Sequence, residues 1–265
     1  MQANNRTSKP LNESVVLITG ALAGIGRATA IAFAKEGAKV VVSGRSADKG
    51  KALAKVLQAS GAEAAFIQAD VRKEKDMQTL IDGTVARFGS LDIAVNNAGT
   101  EGLRGDIIDQ TEDTYKATFD TNVLGTLLSM KHELRVMLQQ GNGSIVNVSS
   151  TFGTRAAAGA SVYIGSKHAV EGLTKAAALE GAAFGVRVNA VAPGPTETGM
   201  LNRFAGGNDE AMYNMAKGVP MKRLGRPEEV AQAIVFLGSD KAPFLSGQIL
   251  AVDGAKLAVD SGSLR

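Results

Sequence analysis

The sequence contains no cysteine, no tryptophan and only two histidines among its 265 residues. The lack of cysteine excludes disulfides, thiolate metal sites and cysteine nucleophiles. Two histidines, His132 and His168, argue against a histidine-based metal cluster. We therefore predict no metal site and assign chemistry to neither histidine.

An excess of charge and long apolar runs are also missing. The 29 basic and 26 acidic residues are interspersed, which leaves a net charge of +3 and no basic run typical of a nucleic-acid surface. No apolar run reaches the roughly 18 residues of a membrane-spanning helix, and the amino terminus is polar, without an apolar signal core. We expect a soluble, cytoplasmic protein that binds neither nucleic acid nor membranes.

The length and composition are typical of one large domain. Hydrophobic residues make up 45% of the chain, and no repeat, low-complexity tract or linker divides it. The sequence predicts a flexible tail over residues 1–12 and a single domain over residues 13–265.

Short apolar runs alternate with helical patterns along the chain. The predicted strands lie at residues 15–19, 39–43, 64–68, 92–96, 144–148, 187–191 and 249–252. The predicted helices lie at residues 25–36, 47–60, 75–88, 111–140, 161–184 and 227–237. This pattern predicts an α/β fold of the Rossmann type, a doubly wound, seven-stranded parallel sheet with helices on both faces. Such sheets bind ligands beyond the carboxyl ends of their strands.

Three residues near the fifth predicted strand are candidates for proton transfer. Tyr163 and Lys167 are four residues apart, and Ser150 closes the apolar run before them. On a helix, this spacing places the ammonium beside the phenol. A free phenol titrates near ~10, and we expect the ammonium to lower its pKa. An isolated pair of this kind is more often a packed tyrosine with a solvated lysine, but Ser150 and the upstream glycines favour catalysis.

Three glycines stand between the first predicted strand and the first predicted helix. Gly20 permits a tight turn, Gly24 lets the backbone approach a pyrophosphate, and Gly26 lets the helix pack closely. The helix amino terminus then offers free N–H groups and a positive dipole end to the phosphates. The spacing Gly-x-x-x-Gly-x-Gly differs from the Gly-x-Gly-x-x-Gly fingerprint. The loop predicts a dinucleotide site, although glycines of this kind also occur simply as turn residues.

Taken together, five motifs resemble those of the classical short-chain dehydrogenase/reductase family, over roughly residues 14–254. They occur in the family's order and at its usual intervals: Thr19-Gly20-x-x-x-Gly24-Ile25-Gly26, Asn96-Asn97-Ala98-Gly99, Ser150, Tyr163-x-x-x-Lys167 and Pro193-Gly194. The resemblance extends to 3-oxoacyl-carrier-protein reductase-like and carbonyl reductase members.

This resemblance implies an oxidoreductase that interconverts a ketone and a secondary alcohol by hydride transfer from or to a nicotinamide. Tyr163 would be the general acid or base, and Ser150 would bind the reacting oxygen. Lys167 would also hydrogen-bond the nicotinamide ribose. Asn122 would be the fourth catalytic residue, holding a water that links Lys167 to solvent.

The resemblance also implies cofactor contacts at the ends of several strands. Asp70 would accept a hydrogen bond from the adenine amino group, although a helix-capping role competes with this. Thr196 and Thr198 are candidates for carboxamide and phosphate contacts. The other residues implied in cofactor binding, besides the three loop glycines and the strand-two residues considered next, are Ala23, Ile25, Val71, Asn97, Ala98, Gly99, Tyr163, Lys167, Pro193 and Gly194.

The end of the second predicted strand bears on the choice of cofactor. Family members that prefer NAD usually carry an aspartate where this chain has Gly44, and that carboxylate would repel a 2′-phosphate. Arg45 follows and can pair with the phosphate, and Ser46 can add a hydrogen bond. Ala23 stands where some NADP-dependent members carry a basic residue. We predict a preference for NADP(H), with NAD(H) possible if Arg45 is merely solvated.

The stretch from residue 194 to about residue 226 is predicted to be a mobile lid over the substrate. Candidate wall residues are Met200, Leu201, Phe204, Met212, Met215, Phe152, Arg155, Glu101 and Leu103, which support an apolar pocket. The resemblance implies a homotetramer, whereas the sequence alone indicates only an oligomer.

Three alternative functions remain open. One is a 3-oxoacyl-carrier-protein reductase, which would need a basic docking face. Another is an NAD-dependent sugar or polyol dehydrogenase. The third, a dinucleotide sensor without turnover, does not need Ser150, Tyr163 and Lys167 together.

Overall fold

The computed structural model describes residues 10–258. Seven strands of this part form one sheet, in the order β3-β2-β1-β4-β5-β6-β7, and every neighbouring pair is parallel. The strands are β1 (Val15–Thr19), β2 (Lys39–Gly44), β3 (Ala64–Gln68), β4 (Ile93–Asn96), β5 (Gly143–Val148), β6 (Val186–Pro193) and β7 (Ile249–Val252). The predicted seven-stranded parallel sheet is confirmed.

Helices cover both faces of the sheet. Within residues 10–258 they are α1 (Gly24–Lys35), α2 (Ala47–Ala59), α3 (Glu74–Phe88), α4 (Glu112–Phe119), α5 (Gly125–Gln140), α6 (Ser161–Ala182), α7 (Gly199–Phe204), α8 (Asp209–Lys217) and α9 (Pro227–Gly238). Val16 and Ile18 of β1 pack with α1, α2 and α9 in one apolar cluster. Leu17 packs with α3, α5 and α6 in the other. Successive side chains of a strand point to opposite faces, so each strand needs the continuous apolar run seen in the sequence.

The order of the strands reverses beside β1. The chain proceeds from β1 outward to β2 and β3, then returns to the other side of β1 with β4 and continues to β7. The loops after β1 and β4 therefore separate at their carboxyl ends and leave a crevice between them. The candidate site residues lie around this crevice.

The long predicted helix over residues 111–140 is interrupted. It consists of α4, a π-helical turn over Asp120–Leu124, and α5. Thr111 and Thr114 form a capping box at the start of α4, which fixes the predicted amino terminus. The π turn contains Asn122, and turns of this type are frequent at functional sites.

The predicted lid region contains the two short helices α7 and α8. Thr198 caps α7 by accepting a hydrogen bond from the Leu201 amide, and Asn208 caps α8 in the same way through the Ala211 amide. No residue of either helix is fully buried, as expected for a segment that covers a cleft.

The predicted tail lies outside the described residues as far as residue 9, and Leu11–Glu13 form a short 3-10 helix whose Leu11 packs against the core. Among residues 10–258, no helix is long and apolar enough to cross a membrane.

Candidate active site

Within residues 10–258, two adjoining cavities lie at the carboxyl ends of the strands. The first, here called the main cleft, has a volume of about 360 Å³ and lies between the ends of β4, β5 and β6 and helices α6 and α7. The second, the side cavity, has a volume of about 200 Å³ and lies at the ends of β1, β2 and β3. Gly99 lines both, so the cavities adjoin at the crevice where the strand order reverses.

Ser150, Tyr163 and Lys167 come together in the main cleft as predicted. Ser150 follows β5, is only 9% exposed and is hydrogen-bonded to the Tyr163 phenol. Lys167 lies one turn after Tyr163 on α6, with its Nζ 5.7 Å from the centroid of the tyrosine ring. Its ammonium donates to the Val148 carbonyl at 2.9 Å, which anchors it to the end of β5.

The predicted direction of the tyrosine pKa is wrong. Burial raises the pKa of Tyr163 to about 12, a smaller opposite effect comes from the Ser150 hydrogen bond, and the Glu101 charge raises it further. Burial also lowers the pKa of Lys167 to about 8, against the charge of Glu171. The sequence pattern predicts an ammonium beside the phenol. It does not predict how deeply both groups are buried, and burial determines both pKa shifts.

Asn122 joins the loop after β4 to α6. Its side-chain oxygen accepts from the Thr100 amide at 2.8 Å, and its amide nitrogen donates to the Thr100 carbonyl at 2.9 Å. The same nitrogen donates to the Ser166 hydroxyl at 3.0 Å, next to Lys167. The buried Asn122 side chain thus fixes two sides of the main cleft relative to each other.

The loop after β1 has the conformation that its glycines were predicted to permit. Gly20 and Gly24 have φ angles of +62° and +51°, where other residues are strained. A side chain at Gly26 would meet the Asn97 amide nitrogen at 2.4 Å and the Gly20 carbonyl oxygen at 2.5 Å. Asn97 donates to the Thr19 and Gly20 carbonyls at 3.1 and 2.9 Å, so it braces the loop from β4.

The amino terminus of α1 is open toward the crevice. Its N-cap residue, Ala23, makes no side-chain capping hydrogen bond and is exposed. The first-turn residue Ile25 lines the main cleft. Uncapped N–H groups at a helix start bind anions such as a diphosphate.

The side cavity contains most of the residues predicted for the adenosine half of a dinucleotide. Arg45, Asp70, Val71 and Ala98 line it. Ser46 lies next to it as the N-cap residue of α2 and is exposed.

The Asp70 carboxylate is engaged by a neighbour that the sequence analysis missed. Arg72 donates to it through Nε at 2.9 and 3.1 Å and Nη2 at 2.5 Å, and this pairing lowers the pKa of Asp70. The capping alternative is wrong, because α3 begins after Lys73 without a side-chain cap. Arg72 itself lines the side cavity.

The loop after β6 forms the side of the main cleft nearest α7. Pro193, Gly194, Thr196 and Thr198 all line it. The Thr196 hydroxyl donates to the Gly194 carbonyl at 2.9 Å and the Thr198 hydroxyl to the Thr196 carbonyl at 3.2 Å, so the loop holds its own shape.

Aromatic rings form the remaining wall. The ring centroids of Phe152, Tyr163 and Phe204 lie 6.1 to 6.4 Å from one another. Met200, Leu201, Met215 and Glu101 also line the main cleft, as predicted. Met212, Leu103 and Arg155 do not line it; Arg155 instead donates to the Leu257 carbonyl at 2.9 Å. Eight further lining residues were not predicted as site residues, namely Arg104, Val148, Ser149, Thr151, Ala157, Ala158, Pro195 and Lys256.

The residues present fit a dinucleotide. Positive φ angles at the loop glycines, an uncapped helix start and two adjoining cavities form a continuous cradle across the strand reversal. Among residues 10–258, no group of three or more His, Asp or Glu side chains is placed to hold a metal ion.

Comparison with known proteins agrees with this geometry. A family model described as enoyl-(acyl carrier protein) reductase matches residues 20–255. An uncharacterized oxidoreductase of Thermotoga maritima is 44% identical over 92% of this chain and 98% of its own. The chain is a short-chain dehydrogenase/reductase. The predicted family is confirmed.

Other members of the short-chain dehydrogenase/reductase family show the same extent of similarity. An A-factor type gamma-butyrolactone 1'-reductase of Streptomyces virginiae is 41% identical, covering 92% of this chain and 95% of the relative. A cis-4-hydroxycyclohexanecarboxylate dehydrogenase of Sinomonas cyclohexanicum is 42% identical, covering 93% and 98%.

Solved structures of short-chain dehydrogenases/reductases superpose closely. A levodione reductase matches with a TM-score of 0.90 and 34% identity, over 94% of this chain and 99% of that chain. An actinorhodin polyketide ketoreductase with NADPH matches with a TM-score of 0.88 and 34% identity, over 93% and 98%. The chain is therefore an oxidoreductase of this type that acts on alcohols or ketones with a nicotinamide dinucleotide.

Proposed function

We propose that the protein is an NADP(H)-dependent oxidoreductase that interconverts a ketone and a secondary alcohol, with Tyr163 as the general acid or base. The observation that carries this proposal is the hydrogen bond between Ser150 and Tyr163 inside an apolar cleft, with the Lys167 ammonium held 5.7 Å from the tyrosine ring. A cofactor-binding sensor without turnover does not need this arrangement.

In the reductive direction, the hydroxyls of Ser150 and Tyr163 bind the substrate carbonyl oxygen and Tyr163 donates its proton to the forming alkoxide. A pKa of about 12 keeps Tyr163 protonated at neutral pH, as an acid requires. A bound nicotinamide supplies the hydride for reduction or accepts it for oxidation.

Lys167 and Asn122 support this proton transfer. With a pKa of about 8, Lys167 carries its charge at neutral pH and stabilises the phenolate as it forms. Hydrogen bonds of 2.8 to 3.0 Å join Asn122 to Thr100 in the loop after β4 and to Ser166, the residue before Lys167. Asn122 is thus proposed as the fourth member of the group, at the start of a proton path from Lys167 to solvent.

The cofactor is proposed to lie across both cavities. Gly20, Gly24 and Gly26 and the start of α1, with Ala23 and Ile25, hold the diphosphate. Asp70, Val71, Asn97, Ala98 and Gly99 lie along the adenosine half. Tyr163, Lys167, Pro193, Gly194, Thr196 and Thr198 lie along the nicotinamide half.

NADP(H) is proposed as the preferred form. Gly44 leaves no carboxylate at the end of β2 to repel a 2′-phosphate, and Arg45 lines the side cavity beside it. Ser46 follows as a hydrogen-bond donor. NAD(H) remains the alternative if the exposed Arg45 makes no contact with the cofactor.

Cyclic ketones and alcohols are the proposed substrate class. Three aromatic rings and the apolar side chains of Met200 and Leu201 line a cleft of about 360 Å³, part of which the nicotinamide would fill. The remaining space suits a compact, ring-sized molecule. One relative is named for a cyclohexane alcohol and one solved structure for levodione, which supports this choice.

A homotetramer is proposed for the assembly. Large apolar side chains are exposed on the outer surfaces of α5 and α6 and on the turns that adjoin these helices, where a partner copy would cover them. They are Leu124, Leu127, Leu179 and Phe184.

The proposed function is tested by following the absorbance of NADPH and of NADH over a panel of cyclohexanones, 3-oxoacyl thioesters, sugars and steroids. Oxidation of NADPH by cyclic ketones is the expected result. Turnover with 3-oxoacyl thioesters alone, or with NAD and polyols alone, would support the corresponding alternative instead. Binding of NADPH without turnover of any of these classes would favour the sensor.

A further inference from the structure

Two cations of the main cleft, Arg104 and Lys256, have no role in the proposed proton transfer. The charged residues that line the cleft are Glu101, Arg104, Lys167 and Lys256. Glu101 is paired with Arg203 of α7, and Lys167 is held at the Val148 carbonyl. Arg104 lies over the Phe204 ring and donates to the Phe204 carbonyl. Lys256 is the remaining one.

The backbone holds Lys256 in a defined place. The turn after β7 passes through Ala255, whose φ angle of +72° is unusual for a residue with a side chain. The Asp253 carboxylate accepts from the amides of Ala255 and Leu257 at 3.0 and 2.7 Å, and Arg155 donates to the Leu257 carbonyl. Contacts on both sides of Lys256 therefore fix this turn. Without them, the strained backbone at Ala255 would relax.

The surroundings of Lys256 favour an incoming anion. The Lys256 side chain is half-buried. Among residues 10–258, no carboxylate oxygen lies within 4 Å of its ammonium nitrogen, the distance that defines an ion pair. Burial and the charge of nearby Arg155 lower the pKa of Lys256, with a smaller opposite effect of Asp253. A partly desolvated ammonium near a second cation is destabilised unless an anion approaches it.

We propose that Lys256 is an anion subsite of the main cleft and selects ketone substrates that carry a carboxylate in addition to the reacting carbonyl. This inference rests on the proposed function, because it assumes that the carbonyl binds at Ser150 and Tyr163. The alternative source of the anion is a phosphate of the cofactor, but the open start of α1 already provides a diphosphate site.

The test compares two ketones of nearly equal shape, 4-oxocyclohexanecarboxylate and its neutral amide. The variants are Lys256→Met, which removes the charge, and Lys256→Arg, which keeps it. Lys241→Met, at an exposed position outside the cleft, makes the same change of net charge as a control.

We expect the ratio of kcat/KM for the carboxylate over the amide to fall by about tenfold or more in Lys256→Met. Lys256→Arg should keep the ratio within about threefold, because it retains the positive charge that pairs with the carboxylate. Lys241→Met should do the same, because it changes the net charge without touching the main cleft. The affinity for NADPH, measured by fluorescence titration, should not change in any variant.

The outcomes separate the two proposals. If every protein reduces both ketones with an unchanged ratio, the anion subsite is refuted and the proposed function stands. A loss of NADPH affinity in Lys256→Met without a change in the ratio assigns the cation to the cofactor and also refutes the subsite.

If the wild type reduces neither ketone, the proposed substrate class fails, and the subsite is then judged by binding. In that case the probe is cyclohexanecarboxylate, added to the NADPH complex in a thermal unfolding experiment. Stabilisation of the wild type but not of Lys256→Met supports the subsite, and equal behaviour of the two refutes it.

Discussion

Arg45 and Gly44 together shape the rim of the side cavity where the sugar of a dinucleotide would lie. Gly44 has no side chain, and a Cβ there would meet the Leu22 side chain at 2.8 Å, so Leu22 fills the space of the missing carboxylate. Arg45 is exposed, and the side cavity contains a second guanidinium, that of Arg72, which is already paired with Asp70. Arg45 is thus the better placed of the two to pair with a 2′-phosphate.

Replacing Arg45 by alanine should weaken NADPH binding about tenfold to hundredfold and leave NADH binding within about twofold, because only NADPH carries the charge that the guanidinium pairs with. Fluorescence titration with both cofactors measures this. Arg87→Ala, at an exposed position on α3, is the matched control. An equal loss of affinity for both cofactors would contradict the assignment.

Several site residues were predictable from the sequence, whereas their electrostatics were not. Ser150, Tyr163 and Lys167 follow from a helical spacing and a strand end, and both are local features of the chain. The pKa of Tyr163 depends on how many distant segments exclude water from it. Lys256 was missed because separate segments of the chain bring it to the main cleft, whereas Arg72 was missed although its partner Asp70 is only two residues away.

At the scale of elements, α7 is tied to the loop after β4 by two contacts. Arg203 of α7 donates to Glu101 at 2.5 and 3.1 Å. Arg104 of the loop lies 4.8 Å over the Phe204 ring and donates to the Phe204 carbonyl at 3.2 Å. Helix α7 lines the main cleft through Met200, Leu201 and Phe204. These contacts therefore help to hold one wall of the cleft in place.

We expect Arg203→Ala to raise KM for the ketone about two- to fivefold, because an ion pair whose guanidinium is exposed contributes up to about 1 kcal/mol. Glu101→Gln should raise KM by a similar factor. The double variant should be no worse than either single variant, since both remove the same contact. Steady-state kinetics of the wild type, the two single variants and the double variant measures the coupling between Arg203 and Glu101.

The control for this cycle is Lys116→Ala, which breaks an exposed ion pair on α4 with Glu112. It should leave KM unchanged. Additive effects of the Arg203 and Glu101 substitutions would show that α7 is positioned by other contacts.

The elements themselves were largely predictable, because buried parallel strands require continuous apolar runs. The predicted strand at residues 187–191 lies inside β6, and the predicted helix at residues 161–184 covers α6. The π turn around Asn122 was not predictable, because one extra residue in a turn leaves the apolar periodicity of the flanking helices intact. The lid was predicted as a region, but its two helices depend on caps at Thr198 and Asn208.

At the scale of the whole molecule, one buried carboxyl couples folding to pH. Glu133 of α5 is fully buried and accepts from the Asn96 amide at 3.0 Å. Asn96 also donates to Asn147, which donates to Thr174 of α6. Burial raises the pKa of Glu133 from an ordinary value of 4.5 to about 8, with a smaller opposite effect of the Asn96 hydrogen bond.

The folded protein therefore holds a proton on Glu133 that the unfolded chain releases above its lower pKa. The stability that this proton confers is complete below pH 4.5 and is lost as the pH rises toward about 8. The free energy of unfolding should fall over this window by roughly 2–4 kcal/mol from this group alone.

Glu133→Gln should remove this pH dependence, because the amide stays neutral at every pH. Urea unfolding of both proteins at pH 5 and at pH 8.5, at one protein concentration, measures the difference. We expect the variant to gain stability relative to the wild type at the higher pH. Glu228→Gln, at an exposed position on α9, should change neither value. Parallel pH profiles of wild type and Glu133→Gln would contradict the buried neutral state.

The proposed role of Tyr163 is to move the proton in a ketone reduction driven by a nicotinamide. It is tested most directly by NADPH oxidation with cyclohexanone in the wild type and in Tyr163→Phe, with NADPH affinity measured in parallel. We expect the variant to lose turnover by at least about a hundredfold while it binds NADPH as the wild type does. Turnover in Tyr163→Phe at a rate close to that of the wild type would refute this role of Tyr163.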